Sequence, residues 1–286
     1  MTRSEPPAYQ CRVGTRTHAQ AFRQDGFIKL RRFFAAHEME DLRSAILEAQ
    51  AHNVDPLDRA GLTFHSNAFR SSAWIRDFLA QPRLVSLVAE VGGPNLWVRW
   101  DQAVAKAPGG VEFPWHQDNA YNRLRVQHFQ LWVAITRGVR ENGGLWLQPG
   151  SHRKGLLPHV TRGSHMVYEG PHEQELLVEA EPGDVVLFSS LMLHRTLPNE
   201  SRDEHRWAYV AEYIKLEDWD PWVDAPYFVV ARHGRPAPAL VHWFPGRVAP
   251  LNRLRYLTSV SPFARRLAQS GAGRVLRRLA HAARGV

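Results

Sequence analysis

Residues 183–201 read GDVVLFSSLMLHRTLPNES. Pro182, Gly183 and Asp184 spell a tight turn, the apolar run 185–188 fits a buried strand, and His194 follows in a short segment closed by Pro198 and Asn199. A strand of that length, bounded on both sides by turn formers, belongs in a sandwich or barrel. The same pattern extends in both directions, from residue 96 to about residue 213, through LWVRWDQAVAK, FQLWVAI, GGLWLQ and RWAYVAEY. Before it, HEMEDLRSAILEAQ places Met39, Leu42, Ile46 and Leu47 at helical spacing, after a short strand at Phe27–Leu30. Residues 72–93 read as helix broken near Pro82 and closed by Gly92 and Gly93.

The chain has 286 residues, 44% of them hydrophobic, enough for a substantial core and too many for a disordered chain. No run of eighteen apolar residues interrupts it, and its start, MTRSEPPAYQ, is polar. A cytoplasmic location is the expectation. The single cysteine, Cys11, excludes an internal disulfide framework and a thiolate metal cage, so any bound metal is held by nitrogen and oxygen. Net charge is +8, yet residues 225–286 hold eleven arginines and no acidic residue. The remainder is therefore net acidic, and the basicity belongs to the tail. Nucleic-acid binding is not expected, because no base-reading module accompanies that charge. In SPFARRLAQSGAGRVLRRLAHAARGV, Phe263, Leu267, Val275 and Leu279 form one stripe among arginines. Such a helix packs on the body with a solvated face or rests on an anionic membrane surface.

Chemistry concentrates in FPWHQDNAYN, residues 113–122. If the segment is extended, His116 and Asp118 share a face and Gln117 takes the other. Two ligands then aim at one point, and His194 is the candidate third. Arg206 opens the alternating strand RWAYVAEY, where an arginine is costly to bury unless it grips a carboxylate through parallel hydrogen bonds.

With DGFIKLRRFF, AKAPGGVEFPWHQD, LWVAITRGVRENGGLWLQPGSH, GDVVLF, HRTLPNES and RWAYVAEY in order over roughly residues 20–215, the sequence resembles the phytanoyl-CoA dioxygenase family of non-haem iron, 2-oxoglutarate-dependent oxygenases. The resemblance implies a mainly β fold with flanking helices around a double-stranded β-helix, a cupin-like jelly roll. It divides the chain into an N-terminal strand and helices (1–95), a catalytic core (96–215) with a lid at 153–176, and a basic C-terminal extension (216–286). It makes His116, Asp118 and His194 the ligands of Fe(II), a two-histidine, one-carboxylate triad with open positions. Arg206 then holds the distal carboxylate of 2-oxoglutarate together with Thr196, and Gln130 and Gln102 are further candidates for that pocket. The family arginine usually stands eleven residues after the distal histidine, where this chain has His205; Arg206 implies a one-residue insertion in NESRDEH. The implied reaction uses O2 and 2-oxoglutarate to hydroxylate an unactivated carbon of a small-molecule or lipid-like substrate, releasing succinate and CO2. Asp118 argues against halogenation, which needs a small residue there. The alternative is a non-catalytic metal-binding jelly roll recruited to an anionic membrane or partner by its tail. The sequence sets neither substrate nor oligomeric state.

Overall fold

The computed structural model describes residues 17–51, 57–122, 124, 126–248 and 252–270. Helix α1 (His18–Asp25) opens on a capping box, in which the Thr17 hydroxyl accepts from the Gln20 N–H and the Gln20 side chain accepts from the Thr17 N–H. It leads into β1 (Phe27–Leu30) and α2 (Ala36–Ala51). A hairpin of β2 (Leu57–Arg59) and β3 (Leu62–Ser66) precedes three helices, α3 (Ala68–Ser71), α4 (Ala73–Leu79) and α5 (Pro82–Gly92). The break expected near Pro82 is real, because Pro82 lies in the first turn of α5, where its missing N–H costs nothing.

The strands that follow are β4 (Leu96–Lys106), β5 (Phe113–His116), β6 (Phe129–Ala134), β7 (Leu145–Leu147), β8 (Val160–Arg162), β9 (His165–Val167), β10 (Leu176–Val178), β11 (Val185–Ser189), β12 (His194–Thr196) and β13 (Arg206–Lys215). The large sheet runs β1-β11-β6-β13-β4 and the small sheet runs β10-β7-β12-β5, with every pairing antiparallel. Two such facing sheets make the double-stranded β-helix.

Strand periodicity divides the large sheet into two faces. Phe129, Leu131 and Val133 of β6, with Tyr209, Ala211 and Tyr213 of β13, point outward into a core shared with α2, α4 and α5. Trp132, Ala134, Val186, Phe188 and Ala208 point inward and meet Leu145 and Leu147 of the small sheet. Helix α5 buries Leu84, Val85, Leu87 and Val88, each worth about 1.5–3 kcal/mol relative to exposure. That contact holds the helix, since eleven isolated residues would be marginal in water.

The sheet does not end at residue 215. Strand β14 (Tyr227–Arg232) pairs with β4, and β15 (Arg235–Val241) pairs with β14. Pro236 and Pro238 lie on β15, at the sheet edge where a missing N–H breaks no ladder. Helices α6 (Arg253–Val260) and α7 (Pro262–Gln269) follow. Phe263 and Leu267 of α7 are 76% and 58% exposed, while the rest of the arginine-rich stripe, 271–286, lies outside the described residues. Among the described residues no helix is long and apolar enough to cross a membrane.

The turn before β11 ties the two ends of the large sheet's edge. Gly183 has φ +88°, its carbonyl accepts from the Phe34 N–H, and a Cβ there would sit 2.1 Å from the Phe34 carbonyl oxygen. Gly183→Ala should lose about 2 kcal/mol or more of stability, read as a lowered urea midpoint at unchanged slope.

Candidate active site

His116 ends β5 and His194 begins β12, and the ladder pairs them directly across from each other. Their ring centroids are 4.0 Å apart. His116 Nδ1 donates to the Pro114 carbonyl at 2.8 Å, and His194 Nδ1 donates to the Met192 carbonyl at 3.0 Å. A carbonyl only accepts, so each ring carries its proton on Nδ1 and presents a bare Nε2. Asp118, two residues beyond β5 at the start of a 3-10 turn, places Oδ1 3.6 Å from both Nε2 atoms. One ligand atom from each residue lies within 4.8 Å of the others. Asp118 Oδ2 is buried without a hydrogen-bond partner. Lone pairs turned toward one another are repulsive until a cation sits among them, so the donor set fits a divalent metal that accepts imidazole and carboxylate. Burial, reinforced by His116, pushes the His194 imidazole down to about 4, which keeps it in the neutral, ligating form.

Gln117, between the ligands, turns the other way. Its side chain donates to the carbonyls of Gly155 and Leu191 at 2.9 and 2.6 Å and accepts from the Leu157 N–H at 2.8 Å, and its own N–H donates to His159 Nε2. His159 is thereby occupied in tying 155–159 to the metal segment. Among the described residues, only the His116, Asp118 and His194 group has metal-binding geometry; His152, His159, His165 and His172 do not converge.

The triad opens into a cavity of about 500 Å³ that Arg206, Thr196 and Gln102 also line. Arg206 is 2% exposed, its Nε lacks a partner, and no acidic side chain among the described residues pairs with it. Burial pushes its guanidinium down to about 10. His205 is exposed and faces away from the interior, so the twelve-residue spacing reflects strand phase. Asn199 sets that loop, its Nδ2 donating to the carbonyls of Lys106 and Glu204. Gln102 donates to Ser66 Oγ at 2.7 Å at the cavity wall. Gln130 faces inward but stands one layer back, donating to Glu212 Oε1 at 3.1 Å. The remaining wall is largely aromatic, with Phe64, Trp100, Phe113, Tyr121 and Trp132.

Sequence reasoning missed three charged residues here. Arg99 and Glu212 line the cavity, joined at 2.6 Å, and Arg99 Nε also donates to Asp220. Lys106 is wholly buried. The available signal was strand phase, since Gln102 and Lys106 share one face of β4, and Arg206 and Glu212 share one face of β13.

The family model for phytanoyl-CoA dioxygenase (PhyH) matches residues 22–207. The chain belongs to that family. Membership makes it a non-haem iron(II), 2-oxoglutarate-dependent dioxygenase, and the donor set described above suits that metal. The family member is 28% identical over 226 residues to a methylphosphonate hydroxylase of Gimesia maris, spanning 72% of this chain and 83% of that one. It is 35% identical over 101 residues to a 1-deoxypentalenic acid 11-beta-hydroxylase of Streptomyces arenae, covering 32% and 36%. The fold matches that of EvdO2 from Micromonospora carbonacea var. aurantiaca complexed with 2-oxoglutarate, at a TM-score of 0.58 and 24% identity over 80% of this chain and 94% of that one. It also matches the non-heme monooxygenase ThoJ at a TM-score of 0.63 and 20% identity, over 88% and 98%. Hydroxylases and dioxygenases recur among these relatives, and the non-catalytic alternative finds no support in them.

A depressed histidine has a definite pH signature. The neutral form of His194 stabilises the metal-free fold above the unfolded-state value of about 6.5, and this stability is lost as pH falls toward about 4. Urea unfolding of the metal-free chain should show a falling midpoint between pH 6.5 and 4, and His194→Asn should flatten that fall.

Proposed function

We propose that His116, Asp118 and His194 hold the ferrous ion, that Arg206 and Thr196 receive the distal carboxylate of 2-oxoglutarate, and that the chain hydroxylates an unactivated carbon of a small molecule. The observation that carries this reading is Arg206, a buried cation without a carboxylate partner among the described residues, lining the same cavity as the three ligands. A buried guanidinium is tolerated where an anion completes it, and its fork matches a carboxylate. The stoichiometry balances: one C–H bond becomes C–OH with one atom of O2, and the other atom enters succinate as 2-oxoglutarate loses CO2. Bound iron supplies the redox chemistry of that conversion. The chain's own contributions are orientation and exclusion of water. The Pro114 and Met192 carbonyls fix the imidazole tautomers, and Phe113, Trp132 and Phe188 line the cavity with apolar surface.

Segment 153–176 is the lid in this reading. Ser164 and His165, at the tip of the β8–β9 hairpin, line the cavity, and the Met166 N–H donates to the Tyr121 hydroxyl at 3.0 Å. The aromatic walls favour a substrate with an apolar body, and the Arg99–Glu212 corner supplies hydrogen bonds to a polar end. A cytoplasmic location belongs to the same proposal, since a reducing milieu keeps iron ferrous.

Anaerobic addition of Fe(II) and 2-oxoglutarate to the apoprotein should raise the weak visible charge-transfer band of a chelated keto acid. His194→Ala should abolish it, and Arg206→Ala should require at least about 100-fold more 2-oxoglutarate, by loss of a charge-assisted bidentate contact. A folded, iron-loaded wild type without the band would remove the proposal.

Exposed Phe263 and Leu267, beside Arg265 and Arg266, favour peripheral contact of the tail with anionic lipid as a separate reading. Deletion of 262–286 should then abolish co-sedimentation with phosphatidylserine vesicles at low salt while leaving the charge-transfer band intact.

A further inference from the structure

Lys106 ends β4 with its side chain inside the barrel and none of it exposed. It stands directly across the β4–β13 ladder from Arg206. Two basic side chains thus occupy neighbouring interior positions, and among the described residues neither makes an ion pair with an acidic side chain. Burial and Arg206 push the Lys106 ammonium down to about 6, while the exposed Glu112 pulls the other way. The chain packs closely around this residue: a Cβ on Gly110 would meet the Gly61 carbonyl oxygen at 2.7 Å and the Lys106 Cγ at 2.8 Å, and one on Gly143 the Leu197 carbonyl oxygen at 2.5 Å and the Lys106 Cδ at 2.8 Å. Lys106 Nζ donates to Thr196 Oγ1 at 2.9 Å and to the Leu197 carbonyl. Once Lys106 is protonated it has no lone pair to accept with, so the Thr196 oxygen is then the acceptor and its O–H is free to donate elsewhere. Thr196 lines the cavity beside Arg206, whereas Lys106 lies behind it.

We propose that Lys106 is a positioning residue for the cosubstrate: with the distal carboxylate of 2-oxoglutarate bound it is protonated, turns the Thr196 hydroxyl hydrogen toward that carboxylate and adds a second positive charge behind it. The inference rests on the cosubstrate reading above and adds a residue to it. A second buried positive charge beside Arg206 is unfavourable until an anion is bound nearby, and the distal carboxylate supplies that anion, drawing a proton back onto Lys106. A keto acid without a second carboxylate does not. Lys106 therefore contributes to selection for a dicarboxylate, through Thr196, and it touches neither iron nor substrate.

The test is calorimetric titration of 2-oxoglutarate and of 2-oxopentanoate, which lacks the distal carboxylate, into the full chain loaded with Mn(II) in the absence of O2. Lys106→Met should weaken 2-oxoglutarate roughly 10- to 100-fold, the range of a hydrogen bond to a charged group, and leave 2-oxopentanoate unchanged. In a Thr196→Val background the same substitution should cost much less, because the two act as one unit. Lys106→Gln, which keeps a donor without the charge, should fall between wild type and Lys106→Met, and it serves as the reading if Lys106→Met does not fold. Equal weakening of both keto acids, or wild-type affinity for 2-oxoglutarate in both variants, would overturn the proposal. Failure of the wild type itself to bind 2-oxoglutarate would instead overturn the cosubstrate reading, and this inference with it.

Discussion

The antiparallel register of β12 on β5 is the constraint on which the chemistry of this chain depends. It sets His194 opposite His116, and a slip of one residue would turn every side chain of β12 to the other face. Three neighbours resist that slip. Strand β12 lies between β5 and β7, the Leu145 and Leu147 side chains of β7 are locked into the inner core, and Gln148 N–H donates to the Leu193 carbonyl just before β12 begins. Each ring is then oriented by the same local device, a bond from Nδ1 to the carbonyl two residues earlier. A register fixed by packing and a ring fixed by its own backbone leave the Nε2 atoms little freedom, which preorganises the donor set.

The large sheet does two jobs because its faces differ. Its outward face is apolar and takes the helices; its inward face, at the cavity, carries Gln102, Lys106, Arg206 and Glu212. Buried charge of this density works against folding, and the outward core offsets it. Tyr209 and Tyr213 show how the outer layer manages its own polar atoms, donating to Asp101 Oδ2 and to the Leu79 carbonyl. Burial pushes the Asp101 carboxyl up to about 7 even with that bond.

Much of this was legible in the sequence because period two is a local signal. FQLWVAI, GDVVLF and RWAYVAEY became β6, β11 and β13, and the strand at Phe27–Leu30 appeared as read. His116 and Asp118 share a point because they are two residues apart, a relation that survives the turn after β5. Pairing partners were not legible. Gln130 and Gln102 have the same interior phase, yet Glu212 lies opposite Gln130 in the ladder and takes its amide, while Gln102 faces Val210 and reaches the cavity. The strands at 227–241 were hidden by composition, since RPAPALV reads as loop until its place at a sheet edge makes its prolines harmless. Lys106 was hidden for a different reason. Its importance arises from lying across from Arg206, and that neighbour is one hundred residues away.

Arg206 and Glu212 are six residues apart on β13, about 20 Å at 3.3 Å per residue. One end of the cavity therefore gathers Arg206, Thr196 and, behind them, Lys106, with no acidic partner among the described residues. At the other end the carboxylates of Glu212 and Asp220 outnumber Arg99, and His128, lowered by burial, adds no compensating charge. Inside a low-dielectric chamber such an asymmetry is worth far more than on a surface. In the proposed reading a dicarboxylate would be drawn to the first end and repelled by the second, so the chamber would orient an anionic keto acid before any metal bond forms. The aromatic walls and the Arg99–Glu212 corner would then be left to the other reactant. On that reading the sorting of the two reactants would come from charges at opposite ends of two paired strands, Lys106 and Arg206 at one end of β4 and β13 and Arg99 and Glu212 at the other.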